Sequence, residues 1–277
     1  MFYYKNWDRF CCQVKAMNLV NVTASDSLKL TDGDNFIVLK HDVEANVPKA
    51  LKLAEIEHNN GLKGSYYVQG YLIGDEQNVK ILQSMQDMGH EISYHYDVLD
   101  ANSGDYERAD HDFKHYLARF HKEGFSFNTI CQHGNPVKKR VGYTSNRDFF
   151  RNPKIRAEYP DLVDMVVDYS QHIHCKHIYI SDAGYLWKHI TEPETNDLHP
   201  KSVDIPIGNF EKLKRYVENE SVSVVLSTHP HRWEQSPIKI YCKIIVFKVA
   251  RNVAKTMKKI PFLYSLMNQF YFLAKKI

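Results

Sequence analysis

The chain alternates between short apolar runs and longer amphipathic segments. The short runs are rich in β-branched and aromatic residues, which is typical of buried strands, whereas the longer segments repeat apolar residues at helical spacing. Strands are predicted at residues 36–39, 63–68, 91–95, 128–131, 165–167, 178–180 and 222–226. Helices are predicted at residues 48–59, 75–88 and 104–122, with Asp75 as the N-cap of the second.

This alternation predicts a mainly parallel sheet with helices outside it. Polar clusters follow most of the strands, and loops that converge on one rim favour a barrel over an open sheet. Residues 138–162 and 188–207 show no regular pattern and are interpreted as irregular insertions. We therefore predict an α/β fold, a distorted (β/α) barrel over residues 1–236, followed by a helical tail over residues 237–277.

The first predicted strand ends in three ionisable residues, His41, Asp42 and Glu44. Side chains alternate along a strand, so Asp42 and Glu44 point to the same side. The carboxyl ends of parallel strands are where α/β folds carry their chemistry. A solvated strand end without function is the alternative interpretation.

Five polar clusters lie just past strand-like runs. Carboxylates and imidazoles together bind Zn²⁺ or a similar divalent ion and leave a position for water. A metal lowers the pKa of its bound water to about 7, and a spare carboxylate and a spare histidine can then act as base and acid. The clusters lie at residues 41–44, 95–97, 132–136, 181–187 and 228–233.

In this order, from residue 36 to residue 233, the clusters resemble the polysaccharide deacetylase family. The chain has the family's charged first strand end, then an aromatic strand, Gly-Ser-Tyr-Tyr-Val, at residues 64–68. A Gly-His-Glu-Ile segment at residues 89–92 leads to His95. A Pro-containing loop, an Asp…Trp loop and a closing His-Pro at residues 229–230 follow.

The resemblance implies a role for each matching residue. Asp42 matches the catalytic base, Glu44 the metal carboxylate and His95 the first metal histidine. His229 matches the histidine that protonates the leaving amine. Because Asp42 and Glu44 lie on one side of the strand, their roles could be exchanged.

The substrate pocket is expected to involve the last two clusters. Asp182 and Trp187 match the loop that flanks the base, the acid and the acetyl pocket. Arg232 and Trp233 are candidate contacts to sugar hydroxyls and ring faces. Packing of the last loop is the alternative for these two residues.

The chain departs from the family pattern at the metal site. The usual second metal histidine, four residues after His95, is replaced by Leu99, and the usual arginine of the Pro-containing loop has no match. We expect His133 to supply the third metal bond. Asp97, His231 and water are the alternatives, and an incomplete site is a further one.

Three other histidine groups are assigned structural roles. His90 is expected to form structural hydrogen bonds. The His-Asp-Phe-Lys-His sequence at residues 111–115 resembles a zinc helix, but aspartate is shorter than the required glutamate, so a solvated helix face is predicted. The histidines at residues 172–177 lack a second cysteine pair and indicate a loop or strand edge.

Cysteine content and the ends of the chain set the expected compartment. The five cysteines fit no C-x-x-C motif, the first residues do not resemble a signal peptide, and no apolar run is long enough to span a bilayer. We expect a cytoplasmic protein.

Charge is distributed unevenly along the chain. Residues 235–277 contain nine Lys or Arg and no Asp or Glu, so the net charge of +3 leaves about −6 for residues 1–234. This acidity argues against nucleic acid as the partner of the site. The basic amphipathic tail suggests peripheral contact with the inner face of a membrane. Docking of the tail on the barrel or on another subunit is the alternative.

The family resemblance implies a metal-dependent hydrolase that removes an N-acetyl or other N-acyl group from an amino sugar. Zn²⁺ is the expected cofactor, with Mn²⁺, Co²⁺ or Ni²⁺ as alternatives. The family resemblance and the tail suggest a bacterial surface polysaccharide or a lipid-linked glycan precursor as substrate. A deformylase or another C–N hydrolase on the same fold, and a non-catalytic glycan-binding module, are the alternative functions.

Overall fold

The computed structural model describes residues 2–17, 19–31, 35–135, 138–205, 215–216 and 222–257. Its strands are β1 Val20–Asn21, β2 Phe36–Val43, β3 Gly64–Gln69, β4 Glu91–Tyr96, β5 Thr129–Gln132, β6 Val163–Asp164, β7 His177–Ser181, β8 Lys188–Ile190, β9 Ser202–Asp204 and β10 Ser223–Thr228. Its helices are α1 Tyr4–Val14, α2 Ala24–Ser27, α3 Val47–Asn59, α4 Glu76–Asp87, α5 Val98–Ala101, α6 Tyr106–Lys122, α7 Asp148–Arg151, α8 Pro153–Glu158, α9 Tyr169–His172 and α10 Pro237–Met257.

The strands form one sheet in the order β6-β5-β4-β3-β2-β10-β7-β8-β9, with β1 paired to the start of β2. Every pairing is parallel except β7 with β8 and β8 with β9. Because β2, β4, β5 and β10 run in the same direction, the residues that follow them meet at one edge of the sheet.

The sheet curls around an apolar interior. Val163 of β6 and Tyr179 of β7 belong to the same buried cluster as Val38 of β2, although β6 and β7 are far apart in the strand order. Among the described strands, β6 and β9 do not pair, so the curl stays open on that side. The predicted α/β fold with a distorted barrel is confirmed.

Helices cover the outer face, as the sequence pattern predicts. The predicted helices at residues 48–59, 75–88 and 104–122 correspond to α3, α4 and α6. The Asp75 carboxylate accepts from the Gln77 N–H at 2.8 Å, which confirms the predicted N-cap.

Two predicted features need correction. The strand expected at residues 165–167 is β6, two residues earlier, because the backbone turns after Asp164. The expected irregular insertions contain the helices α7 and α8 and the hairpin β8–β9. These two insertions bind each other, since Arg151 Nη2 lies 2.7 Å from Asp197 Oδ1.

The C-terminal tail begins with α10, and the second predicted tail segment, residues 262–276, lies outside the described residues. No helix within the described ranges has both the length and the hydropathy required to cross a bilayer.

Candidate metal and catalytic site

Strand β2 supplies the first two candidate residues through its alternation. Asp42 points inward, and Glu44 follows one residue after the strand ends, on the same side. Both carboxylates are 7 % exposed. They lie at the rim, above the apolar interior of the barrel.

Glu44 meets two histidines from neighbouring strands. Glu44 Oε1 lies 2.9 Å from His133 Nδ1 and 3.9 Å from His95 Nε2, and the two histidine nitrogens are 3.3 Å apart. His95 comes from the end of β4, and His133 follows β5. The sequence-predicted trio of Glu44, His95 and His133 is therefore brought together.

Backbone contacts orient both imidazoles. His95 Nδ1 donates to the Cys131 carbonyl at 3.0 Å, which leaves Nε2 as the metal-facing atom. Burial lowers the pKa of His95 and so favours the neutral ring that binds metal. The His133 N–H donates to the Tyr96 carbonyl at 2.6 Å, and the His133 carbonyl accepts from Asn146 Nδ2 at 2.8 Å.

This donor set fits a divalent ion. Two imidazole nitrogens and one carboxylate oxygen are the ligands of many catalytic zinc sites, and ligands of a tetrahedral Zn²⁺ stand about 3.3 Å apart. The observed separations of 2.9, 3.3 and 3.9 Å bracket that value. The three donors could hold Zn²⁺, and their chemistry also suits Mn²⁺, Co²⁺ or Ni²⁺.

The competing ligands are placed less favourably. Leu99 is fully buried in the apolar core outside the sheet. Among the described residues, the groups suited to a metal do not include Asp97 or His231. Asp42, His95 and Cys131 form a second such group, but burial raises the pKa of the Cys131 thiol well above its usual range and disfavours the thiolate.

A buried cation lies beneath Asp42. Lys40, two residues earlier on the same side of β2, forms an ion pair with Asp42 and is 0 % exposed. Burial alone would raise the pKa of Asp42, but the Lys40 charge, with His95 and His229, outweighs it and lowers the pKa. Asp42 is therefore held as a carboxylate, the form a base requires.

His229 is supported by Asp182. Its Nδ1 lies 2.6 Å from Asp182 Oδ1, and its Nε2 lies 3.9 Å from Asp42 Oδ2. Burial would raise the pKa of Asp182, but the charge of Arg232, together with His229, holds it well below its usual range. A fixed carboxylate behind an imidazole sets the tautomer and stabilises the protonated ring.

Three residues that were predicted to contact substrate have partners within the protein. Trp187 and Trp233 are 1 % and 0 % exposed and pack on Phe2, with ring centroids 5.6 and 5.3 Å away. Arg232 donates to the Asp182 carbonyl at 2.7 Å in addition to its ion pair with that residue. The loops pack inward, so these side chains support the site from behind, and they are not among the described residues that line the cavity above it.

Four other histidines, His41, His90, His111 and His115, occupy structural or exposed positions. His90 Nδ1 accepts from the Gly64 N–H, and its Nε2 donates to the Ala54 carbonyl. His111 and His115 are exposed on α6. On the outer face of β2, His41 Nε2 lies 2.8 Å from Glu57 Oε1.

A cavity of about 500 Å³ opens above the candidate site. Asp42, Glu44, His95 and His229 form part of its lining. The two insertions form another part, through Arg147 and Asp197 among others. The cavity is large enough for a small ligand or a sugar unit.

Two supporting residues escaped the sequence analysis. Lys40 had a usable signal, because a lysine inside an apolar strand and in phase with Asp42 must face the same way. Asn146 gave no signal, since its bond to His133 joins residues of an irregular segment.

Comparisons with known proteins give structural likeness at low identity. The sequence matches no protein-family model and no curated protein. The structure is similar to a family 4 carbohydrate esterase from Streptomyces lividans in complex with acetate (TM-score 0.40, 13 % identity, 80 % of this chain and 91 % of that chain). It is also similar to the catalytic domain of peptidoglycan N-acetylglucosamine deacetylase from Eubacterium rectale (TM-score 0.42, 14 % identity, 80 % of this chain and 87 % of that chain). A third similar structure is a Streptococcus mutans CE4 esterase (TM-score 0.44, 11 % identity, 84 % of this chain and 89 % of that chain). Because the TM-scores and the sequence identities are low, the function of this chain has to be argued from the site itself.

Proposed function

We propose that the protein is a metal-dependent hydrolase of the polysaccharide deacetylase type, which removes an N-acetyl group from an amino sugar of a glycan. One observation carries the proposal. The metal-binding atoms of Glu44, His95 and His133 converge beside Asp42 and His229, at the mouth of a cavity.

The side chains divide the chemistry among them. A divalent ion held by Glu44, His95 and His133 would polarise the acyl carbonyl and make water more acidic. Asp42, kept ionised by Lys40, accepts the proton of the attacking water. His229 donates a proton to the departing nitrogen while Asp182 stabilises the imidazolium.

We further propose that the glycan belongs to bacterial surface-polysaccharide assembly, as a lipid-linked precursor at the cytoplasmic side of the membrane. The family resemblance of the motifs and the basic tail support this substrate class. The acyl group and the sugar follow from the same resemblance.

The test is the release of acid from N-acetylglucosamine oligosaccharides by protein loaded with Zn²⁺, Mn²⁺, Co²⁺ or Ni²⁺. Acetate release is expected, and formate release from N-formyl sugars alone would identify a deformylase. Asp42→Asn should abolish turnover and keep the metal, whereas Asp87→Asn, at an exposed aspartate, should change neither. Turnover retained by Asp42→Asn would exclude Asp42 as the base. Glycan binding without metal and without turnover would favour a binding module.

A further inference from the structure

Helix α10 is attached to the barrel along one face. Ile240 is 3 % exposed in the core that also contains Trp187 and Trp233. The Phe247 ring lies 5.2 Å from the Tyr185 ring. This face of the helix, which also includes the partly buried Ile244, therefore already has its partner.

The opposite face presents apolar side chains to solvent. Ile238, Tyr241, Ile245 and Val249 recur at spacings of three and four residues, so they form one stripe along the helix. Val246 lies at its edge. We name these five residues the outer stripe. Their exposed fractions are 76 % for Ile238, 66 % for Tyr241, 46 % for Ile245, 52 % for Val246 and 57 % for Val249. A run of exposed apolar side chains of this kind marks an interaction surface.

The charges beside the outer stripe have one sign. Lys239 and Lys248 are exposed and, at 3.6 residues per turn, stand about 90° to either side of the stripe. The helix contains no acidic residue, and residues 258–277, which follow it, add four lysines and no acid. An apolar stripe between two lysine edges is the pattern of helices that lie in the interface of an anionic bilayer.

We propose that the outer stripe of α10 lies on an anionic lipid surface, with its apolar side chains at the acyl boundary and Lys239 and Lys248 at the head groups. Charge complementarity favours lipid over a second copy of the chain. Two copies meeting through this stripe would bring lysines of the same sign together, which costs free energy.

The docked face of α10 places this surface beside the candidate site. Phe247 contacts Tyr185, the Arg232 guanidinium lies 5.8 Å from the centre of the Tyr185 ring, and Arg232 pairs with Asp182 behind His229. Lipid contact through α10 would therefore hold the protein at the bilayer surface through the side that supports the candidate site. Attachment to a bilayer agrees with the lipid-linked glycan of the proposed function, and this last step rests on that function.

The experiment is sedimentation of the full chain with vesicles, which needs no activity. Vesicles of phosphatidylcholine mixed with phosphatidylglycerol are compared with vesicles of phosphatidylcholine alone. The test variant is Ile238→Glu/Val249→Glu. The matched control is Val141→Glu/Val203→Glu, at positions 77 % and 57 % exposed, which adds the same charge at similarly exposed apolar residues.

We expect the wild type and the control to sediment with the anionic vesicles and to bind phosphatidylcholine more weakly. The outer-stripe variant should lose at least about tenfold in partition coefficient, because two apolar anchors become anions. Circular dichroism and gel filtration establish that each variant folds. Equal sedimentation of the variant and the control would overturn the proposal. So would a wild-type dimer that the outer-stripe variant converts to a monomer without any vesicle binding.

Discussion

On the outer face of β2, His41 contacts Glu57, and at the inner rim His133 contacts Glu44. Both are buried pairs of a histidine and a carboxylate. Glu57 is enclosed by donors, since Trp7 Nε1 donates to it at 2.9 Å and the Tyr66 hydroxyl donates at 2.8 Å. Glu57 is 0 % exposed and is not among the described residues that line the cavity, so this satisfied pair is assigned a structural role.

The inner pair has a different environment. Three imidazole nitrogens, from His95, His133 and His229, lie within 3.9 Å of the single oxygen Glu44 Oε1, and the group lines a cavity. Such convergence brings together atoms whose lone pairs a cation can share. The contrast shows that accessible, converging acceptors distinguish a candidate metal site from a structural network of the same residue types.

After the loss of turnover expected from Asp42→Asn, the largest effect on the site is expected from Lys40→Met. This change leaves Asp42 buried without its cation, so turnover should fall at least about 100-fold, and the free energy of unfolding should fall by about 3–5 kcal/mol. Adding Asp42→Asn should restore much of the stability. Acetate release and urea denaturation measure the two effects.

The matched control is Lys52→Met, which removes an exposed lysine paired with Glu55. Exposed pairs contribute little to stability, so neither quantity should change. Unchanged turnover in Lys40→Met would show that Asp42 does not depend on the buried lysine.

A smaller effect is expected from Asn146→Ala. The Asn146 amide holds the His133 carbonyl and Asp100, so its loss loosens the third metal donor and should weaken zinc binding about 10-fold. Asn102→Ala, which removes an amide bonded to Val98 and Asp112, should bind zinc as the wild type does. Equal affinities for the two variants would mean that Asn146 does not position His133.

The smallest effect on the site is expected from Glu57→Gln on the outer face. The free energy of unfolding should fall by about 2 kcal/mol, because buried donors lose their charged acceptor. Zinc affinity and turnover of the folded protein should not change. A variant of normal stability with weakened zinc binding would contradict the division between the two faces.

Much of the barrel and the location of the site could be predicted from sequence. Strand periodicity locates β2, and the parallel order brings the residues after β2, β4, β5 and β10 to one edge. The same periodicity also indicates that His41 and Asp42 lie on opposite faces of β2, since neighbouring side chains on a strand point in opposite directions. It predicts which side a residue faces when the residue lies within an element.

The remaining contacts depend on how loops pack, which periodicity does not report. Trp187 and Arg232 lie in loops beside the site, yet one turns into the core and the other turns to Asp182. The strands β8 and β9 are short. They extend the sheet from β7, which pairs in parallel with β10 on its other side. No tight-turn signal in the sequence identified this hairpin. The roles assigned to Glu44, His95 and His133 remain predictions that only metal binding can test.

Zinc affinity of the 277-residue chain, measured by competition with a chelator, tests the central claim most directly. His133→Ala removes one of the three donors, and His115→Ala removes an exposed histidine of α6. We predict one zinc ion per wild-type chain, at least about 10-fold weaker binding in His133→Ala and unchanged binding in His115→Ala. Absence of zinc binding by the wild type, or equal affinity in His133→Ala, would contradict the account.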